Sequence, residues 1–332
     1  MKIAINGFGR IGRNVFKIAY ERPGIDIAAV NDTMDMDILG YLLKHDSVYG
    51  LYKRKVDVRE DSFFVDDREI RFFSERNPAD LPWREMGIDV VIECTGAFPT
   101  AVGENGGYKD HIRAGARKVV LAALAEDVDR TIVLGVNDDD IDSEADTYSC
   151  ACSTSNCLAP LLKILHDSFG VEQGFINTIH AYTSGCGLVD GPGASQREVR
   201  TAALNIIPFR SSAAAAVGKV LPELADRLSS MMMWAPVPVG SVLDLTVNLQ
   251  KSVSKEEVND AVRAAAETSM QGIVEFSYGA RVSSDIRGST YSAIFDPVFT
   301  MVLPDSLVKV ILWFDNEFGY STRVVDLAQK LI

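Results

Sequence analysis

Apolar positions along the chain follow two rhythms. Through roughly the first 150 residues, short continuous apolar runs alternate with segments of helical spacing. Lys2 to Asn6 reads as a buried strand, and Ile11, Val15, Phe16 and Ala19 then share one helical face. Pro23-Gly24 breaks that helix, and IDIAAVN (25–31) is a second buried strand. Further buried strands are expected at IDVVIECTGAF (88–98), RKVVLAAL (117–124) and RTIVLGVN (130–137), with a helical stretch around Asp110 to Ala116. Continuous apolar strands alternating with helices imply an α/β fold, a mostly parallel, doubly wound Rossmann-type sheet covered on both faces.

From Gly170 onward the strands are longer and partly alternating: GFINTIHAYT, SVLDLTVNLQ, GIVEFSYG and LVKVILWFDNE. SKEEVNDAVRAAAETS is an amphipathic helix whose Ser254 and Glu257 have capping-box spacing. This half reads as an α+β domain with a mixed or antiparallel sheet. The final run, GYSTRVVDLAQKLI, is helical and is expected to return to the first domain. The expected division is 1–152 for nucleotide binding, 153–315 for the catalytic domain and 316–332 for the returning helix.

The turn after the first strand sharpens this picture. Gly7, Gly9 and Gly12 spell G-x-G-x-x-G between a strand and a helix, and Asp32 ends the second strand twenty residues after Gly12. Gly7 permits a tight turn, Gly9 lets the backbone approach a pyrophosphate, and Gly12 lets helix and strand pack closely. Asp32 suits the adenosine ribose hydroxyls and repels a 2′-phosphate, and Thr33 and Met34 supply no cation to offset it. The expected cofactor is therefore NAD and not NADP.

Composition narrows the class. A chain of 332 residues, 47% apolar, is sized for two domains. A formal charge of −13 argues against nucleic acid or an anionic membrane as a general partner. The longest apolar runs are too short for a transmembrane helix and the N-terminus reaches glycines at once, so a cytoplasmic protein is expected. Five cysteines, with C-x-C-x4-C at Cys150, Cys152 and Cys157 but no fourth partner near, favour neither a disulfide framework nor a metal centre. No metal is expected.

Taken together, INGFGRIGR, ECTGAF, SNCLAP, HAYT, VDGP, NIIP, AVGKVLPEL, VLDLTV and WFDNEFGYSTRVVDL resemble the phosphorylating glyceraldehyde-3-phosphate dehydrogenase family across residues 1 to 332. The resemblance implies a homotetramer, NAD, and attack of a cysteine on an aldehyde, with hydride transfer and cleavage of the thioester by phosphate. By motif, Asn6, Arg10, Ile11, Thr95 and Gly96 join the glycines at the cofactor, Arg76 lies by the adenine and Asn316 by the nicotinamide amide. His180 of HAYT matches the general base.

The chain departs from the family where the chemistry is concentrated. Aligned on NCLAP, Asn156 and Cys157 match, Thr154 and Ser155 take the two threonine positions, Ser153 lands on the nucleophilic cysteine, and Cys152 stands on the serine before it. Three readings follow. Serine replaces a natural cysteine at 153; or Ser153 is native and the chemistry has been lost or changed; or Cys152 is the nucleophile, ranked last because neighbours on a helix point about 100° apart. Serine is the weaker nucleophile without an activating base.

The anion positions depart as well. Trp234 and Glu198 stand where the family has arginines, with Arg197 and Arg200 flanking Glu198. Thr183 is kept, Gly185 follows it, and Cys186 reads as a small packed residue. Ser211 and Ser212 replace a Thr-Gly pair, and Arg210 is new. Ala122 and Leu124 alter the surroundings of the nicotinamide. The favoured expectation is an NAD-dependent aldehyde dehydrogenase acting at position 153, its substrate moved away from glyceraldehyde 3-phosphate, with phosphate or water as acyl acceptor. A less polar or cationic substrate group would suit Trp234 with Glu198, and Arg210 is a candidate for a relocated anion site. The alternatives are an NAD-binding homologue without catalysis, serving a regulatory, decoy or inhibitor-resistance role, and an ordinary glycolytic enzyme.

Overall fold

The computed structural model describes residues 1–104 and 106–332. Contacts group them into two compact units: Met1–Ile132, Asp139–Ala151 and Ser321–Ile332 in the first, Val133–Asp138 and Cys152–Tyr320 in the second.

In the first unit the strands are β1 (Lys2–Asn6), β2 (Asp26–Asn31), β3 (His45–Asp46), β4 (Gly50–Leu51), β5 (Val56–Arg59), β6 (Ser62–Val65), β7 (Arg68–Phe73), β8 (Val90–Glu93), β9 (Lys118–Leu121), β10 (Arg130–Thr131) and β11 (Thr147–Ser149). Its helices are α1 (Arg10–Tyr20), α2 (Met36–Lys44), α3 (Trp83–Met86) and α4 (Asp110–Arg113). Nine strands form one sheet in the order β10-β11-β9-β8-β1-β2-β7-β6-β5. Pairing is parallel from β10 to β7, and β6 and β5 add antiparallel strands at one edge. Val90, Val91, Ile92, Val119 and Val120 are fully buried, as expected of parallel strands covered on both faces.

Several expected elements are shorter than their apolar runs. The strand expected over 130–137 pairs only at Arg130–Thr131. Beyond it Gly135 turns at φ +84°, and Asn137 and Asp138 side chains accept hydrogen bonds from the Val133 and Gly135 amides. Ile132, Val133 and Leu134 are nonetheless buried, so the run marks packing and not sheet. The strand expected over 88–98 stops at Glu93, before the turn at Gly96 (φ +67°), and the helix expected near 110–116 is one turn ended by Gly115 (φ +111°).

The second unit contains α5 (Ser153–Phe169), β12 (Val171–Ala181), β13 (Ile207–Arg210), α6 (Ala213–Val220), β14 (Leu228–Ala235), β15 (Ser241–Leu249), α7 (Lys255–Glu267), β16 (Val274–Phe276), β17 (Ala293–Leu303) and β18 (Leu307–Phe314). Its seven strands run β13-β14-β12-β15-β18-β17-β16, with β12·β14 and β16·β17 parallel and the rest antiparallel. Strict alternation along β15 and β18 buries Leu243, Leu245, Val247, Val308, Val310 and Leu312, and α5 packs on this sheet. The capping box of α7 forms as its spacing predicts: Ser254 N donates to Glu257 Oε2 at 2.7 Å, and Glu257 N donates to Ser254 Oγ at 3.2 Å. The last helix, α8 (Phe318–Lys330), belongs from Ser321 onward to the first unit, where Asp326 pairs with Arg22 at 2.8 Å.

Candidate active site

The first unit holds a cavity of about 380 Å³ at the C-terminal ends of β1, β2 and β8. Its walls include Asn6, Gly7, Gly9, Asp32, Arg76 and Thr95, six residues expected from sequence to hold the cofactor. Gly7 sits at φ +89°, and a Cβ there would meet Thr95 N at 2.7 Å. At Gly12 a Cβ would lie 2.0 Å from the Gly7 carbonyl oxygen, whereas at Gly9 nothing stands within 4 Å. Gly9 also caps α1 without a side chain. Helix N–H groups beside open space suit a pyrophosphate, so the loop fits a dinucleotide. Asp32 is held in place at the cavity: its Oδ2 accepts from Phe8 N at 2.6 Å and its Oδ1 from Met34 N at 2.9 Å. Arg10 and Ile11 open α1, while Gly12 serves helix–strand contact and Gly96 the turn after Thr95.

In the second unit, α5 begins at Ser153, with Cys152 as its N-cap in extended conformation (φ −137°, ψ 168°). Ala151 before it has φ +51°, an uncommon conformation for a residue with a Cβ. This turn places position 153 at the first helical position, where backbone N–H groups favour a developing negative charge. Cys152 lies outside the helix as its N-cap, so helical spacing does not fix its direction, and its Sγ is 3.0 Å from Ser155 Oγ. Ser153 is half-buried and Thr154 buried.

His180 stands near the end of β12, buried at 7% exposure, with its ring against Phe314 at 5.9 Å between centroids. Its Nδ1 is 2.6 Å from the Ala181 carbonyl oxygen. A carbonyl only accepts, so Nδ1 carries the proton and Nε2 keeps its lone pair. Burial lowers the imidazole pKa and keeps the ring neutral, the form a general base requires. Asn316 has its Oδ1 fixed by Ser241 Oγ at 3.2 Å and Gly240 N at 3.3 Å, an arrangement that orients the amide.

Comparison with known proteins decides the family. Residues 1–101 match the NAD binding domain model of glyceraldehyde 3-phosphate dehydrogenase, and residues 149–316 match its C-terminal domain model. Glyceraldehyde-3-phosphate dehydrogenase of Borreliella burgdorferi is 55% identical over the full length of both chains. The Geobacillus stearothermophilus enzyme of that name is 46% identical over 99% of this chain and 97% of its own. Glyceraldehyde-3-phosphate dehydrogenase 1 of Bacillus subtilis is 44% identical, with the same coverage. The chain belongs to the glyceraldehyde-3-phosphate dehydrogenase family.

As a member of that family the chain is an NAD-dependent oxidoreductase acting on an aldehyde. When bound, NAD supplies the hydride acceptor. The surroundings of His180 are set by the neighbouring strands. On the neighbouring parallel strand β14, Trp234 is its register partner, so both side chains share one sheet face. Trp234 packs on Phe209 of β13, centroids 4.1 Å apart. Strand alternation sends Arg210 to the opposite face from Phe209, which removes it as a relocated anion site beside Trp234. Ser211 Oγ accepts from Ala213 N at 3.2 Å, and Ser212 precedes α6 as its N-cap. Glu198 is half-buried, with its N–H to Ser195 Oγ at 3.3 Å, and the neighbouring Arg200 pairs with Asp190 at 2.9 Å. Thr183 is exposed, its Oγ1 3.7 Å from Cys186 Sγ.

Phe209 carries no signal in the sequence, because only strand register brings it against Trp234. Asn31 and Glu75, also on the cavity wall, lie outside the quoted motifs, and Cys94 lies within ECTGAF without an expected role. No helix of the described residues is long and apolar enough to cross a membrane.

Proposed function

We propose that this chain oxidises glyceraldehyde 3-phosphate with NAD, through a covalent intermediate at position 153 and with His180 Nε2 as the base. The observation that carries the reading is the full-length 55% identity to a protein of that name, together with a His180 tautomer preset for proton abstraction. In the step at Ser153, Oγ bonds to the aldehyde carbon while His180 takes the hydroxyl proton. With NAD held in its cavity, the nicotinamide would accept hydride from that carbon, which would leave an ester at Ser153 for phosphate or water to cleave. A hydroxyl is a slow nucleophile for this step, and Ser153→Cys provides a fast one. A homotetramer is part of the proposal, supported by the outward apolar residues of the second sheet, Phe175 and Met301, 73% and 52% exposed.

One observation favours a second reading. The Trp234–Phe209 pair places aromatic surface, not cations, on the His180 face, which suits an aldehyde without a phosphate. The test is NADH formation by the chain and by Ser153→Cys, with and without phosphate, on glyceraldehyde 3-phosphate and on neutral, cationic and aromatic aldehydes. Turnover of the triose phosphate by the Cys variant supports the first reading, and preference for an unphosphorylated aldehyde supports the second. NAD binding without NADH from either protein sinks both and leaves a non-catalytic binding protein.

A further inference from the structure

Beneath the cofactor cavity lies a buried polar chain that neither the glycine motif nor the catalytic residues use. Glu93, 3% exposed at the end of β8, receives four donors. Its Oε2 accepts from Asn6 Nδ2 at 2.5 Å and from His111 Nε2 at 3.1 Å. Its Oε1 accepts from Thr95 N at 2.7 Å and from the Thr95 hydroxyl. Asn6 and Thr95 are both walls of the cavity.

The directions of these bonds are fixed from both ends. On one side, Trp83 Nε1–H donates to His111 Nδ1 at 2.9 Å; indole only donates, so Nε2 carries the imidazole proton and must donate to Glu93. On the other, Glu75 N–H donates to Asn31 Oδ1 at 2.8 Å, which turns Asn31 Nδ2 toward Asn6 Oδ1 at 2.6 Å. That leaves Asn6 Nδ2 facing Glu93. Trp83 and His111 are fully buried, and Asn6 and Asn31 are 1% and 4% exposed. A carboxylate is acceptor-only and has lone pairs for all four donors. No amide can do the same: Gln in its place presents NH2 either to Asn6 and His111 or to Thr95, and buried donors then face a donor.

We infer that Glu93 is a positioning residue for the cofactor: it clamps Asn6 and Thr95 from below, with His111 as its oriented anchor, and so fixes the pyrophosphate side of the NAD cavity. The side follows from the sheet. β8 flanks β1 opposite to β2, so Thr95 lies away from Asp32 and the adenosine half.

The test is calorimetric titration of the full chain with NAD, ADP-ribose and AMP. In Glu93→Gln, affinity for NAD and ADP-ribose should fall roughly tenfold or more, with AMP changed by less than about twofold. Two His111 variants separate positioning from mere core damage and stand in where Glu93→Gln does not fold. His111→Gln keeps a donor near the Nε2 position and should bind NAD nearly as the parent does. His111→Asn reaches only the Nδ1 position, loses the donor to Glu93 and should bind NAD roughly fivefold or more weakly. Equal NAD affinities for the two, or equal weakening of AMP and NAD in Glu93→Gln, would overturn the assignment.

Discussion

His180 and Trp234 face each other in register on the parallel strands β12 and β14, and the indole is held there by Phe209, 4.1 Å away between ring centroids. The imidazole proposed as the base is thus walled on one side by an aromatic pair. Aromatic surface offers a phosphate neither the permanent charge nor the forked donors of a guanidinium.

Placing a cation there tests what the wall does. In a Ser153→Cys background, Trp234→Arg should lower KM for a phosphorylated aldehyde roughly tenfold or more, the size of one charge-assisted hydrogen-bonding group. KM for an unphosphorylated aldehyde should stay the same or rise. Steady-state NADH assays on paired substrates measure both. A fall in KM for both substrates alike would show that Trp234 only fills space.

His180 gives a pH dependence with a defined sign. Burial sets its folded pKa below the ordinary imidazole value of about 6.5, so the unfolded chain binds the extra proton first. The associated stability is complete above about pH 6.5 and declines as pH falls below it. His180→Asn should remove that part of the acid lability, seen as a smaller difference between urea midpoints at about pH 7.5 and 5.5. The same shift keeps the base neutral, so the acidic limb of kcat/KM should fall below the ordinary histidine value.

Gly12→Ala should abolish tight NAD binding and destabilise the first unit. The added methyl would sit 2.0 Å from the Gly7 carbonyl oxygen, which is backbone and cannot swing aside. A loss of about 1–3 kcal/mol is expected, read from the thermal or urea transition of that unit. Gly9→Ala meets nothing within 4 Å in the protein, so it should leave stability nearly unchanged while weakening NAD where the pyrophosphate approaches.

Asp32→Asn should narrow the preference for NAD over NADP. The carboxylate oxygens keep acceptors toward Phe8 N and Met34 N, and Asn retains one of them while losing the charge that repels a 2′-phosphate. Comparing Kd for NAD and NADP should show NAD weakened several-fold and NADP less affected or improved. Unchanged discrimination would remove Asp32 from the ribose site.

The alternation of apolar runs and helices, the G-x-G-x-x-G turn and Asp32 were legible locally and meet at one cavity in the structure, because a parallel strand, a tight turn and a helix N-terminus are set by neighbours in sequence. Ser254 and Glu257 capped their helix for the same local reason. Local reading overreached at 130–137, where buried residues without strand pairing have the same composition as a strand.

What sequence determined by itself is therefore the class: a parallel-sheet α/β NAD-binding domain, a second α+β domain with a mixed sheet, and a dinucleotide loop between β1 and α1. Tertiary structure alone decided that Phe209 backs Trp234, that Arg210 turns to the other face, that His180 keeps its lone pair on Nε2, and that Glu93 gathers four donors under the cavity. Those relations depend on strand register and, at Glu93, on Asn6 and His111, which lie 87 and 18 residues away in the chain. Pleat, burial and hydrogen-bond direction are set only when the strands are laid side by side.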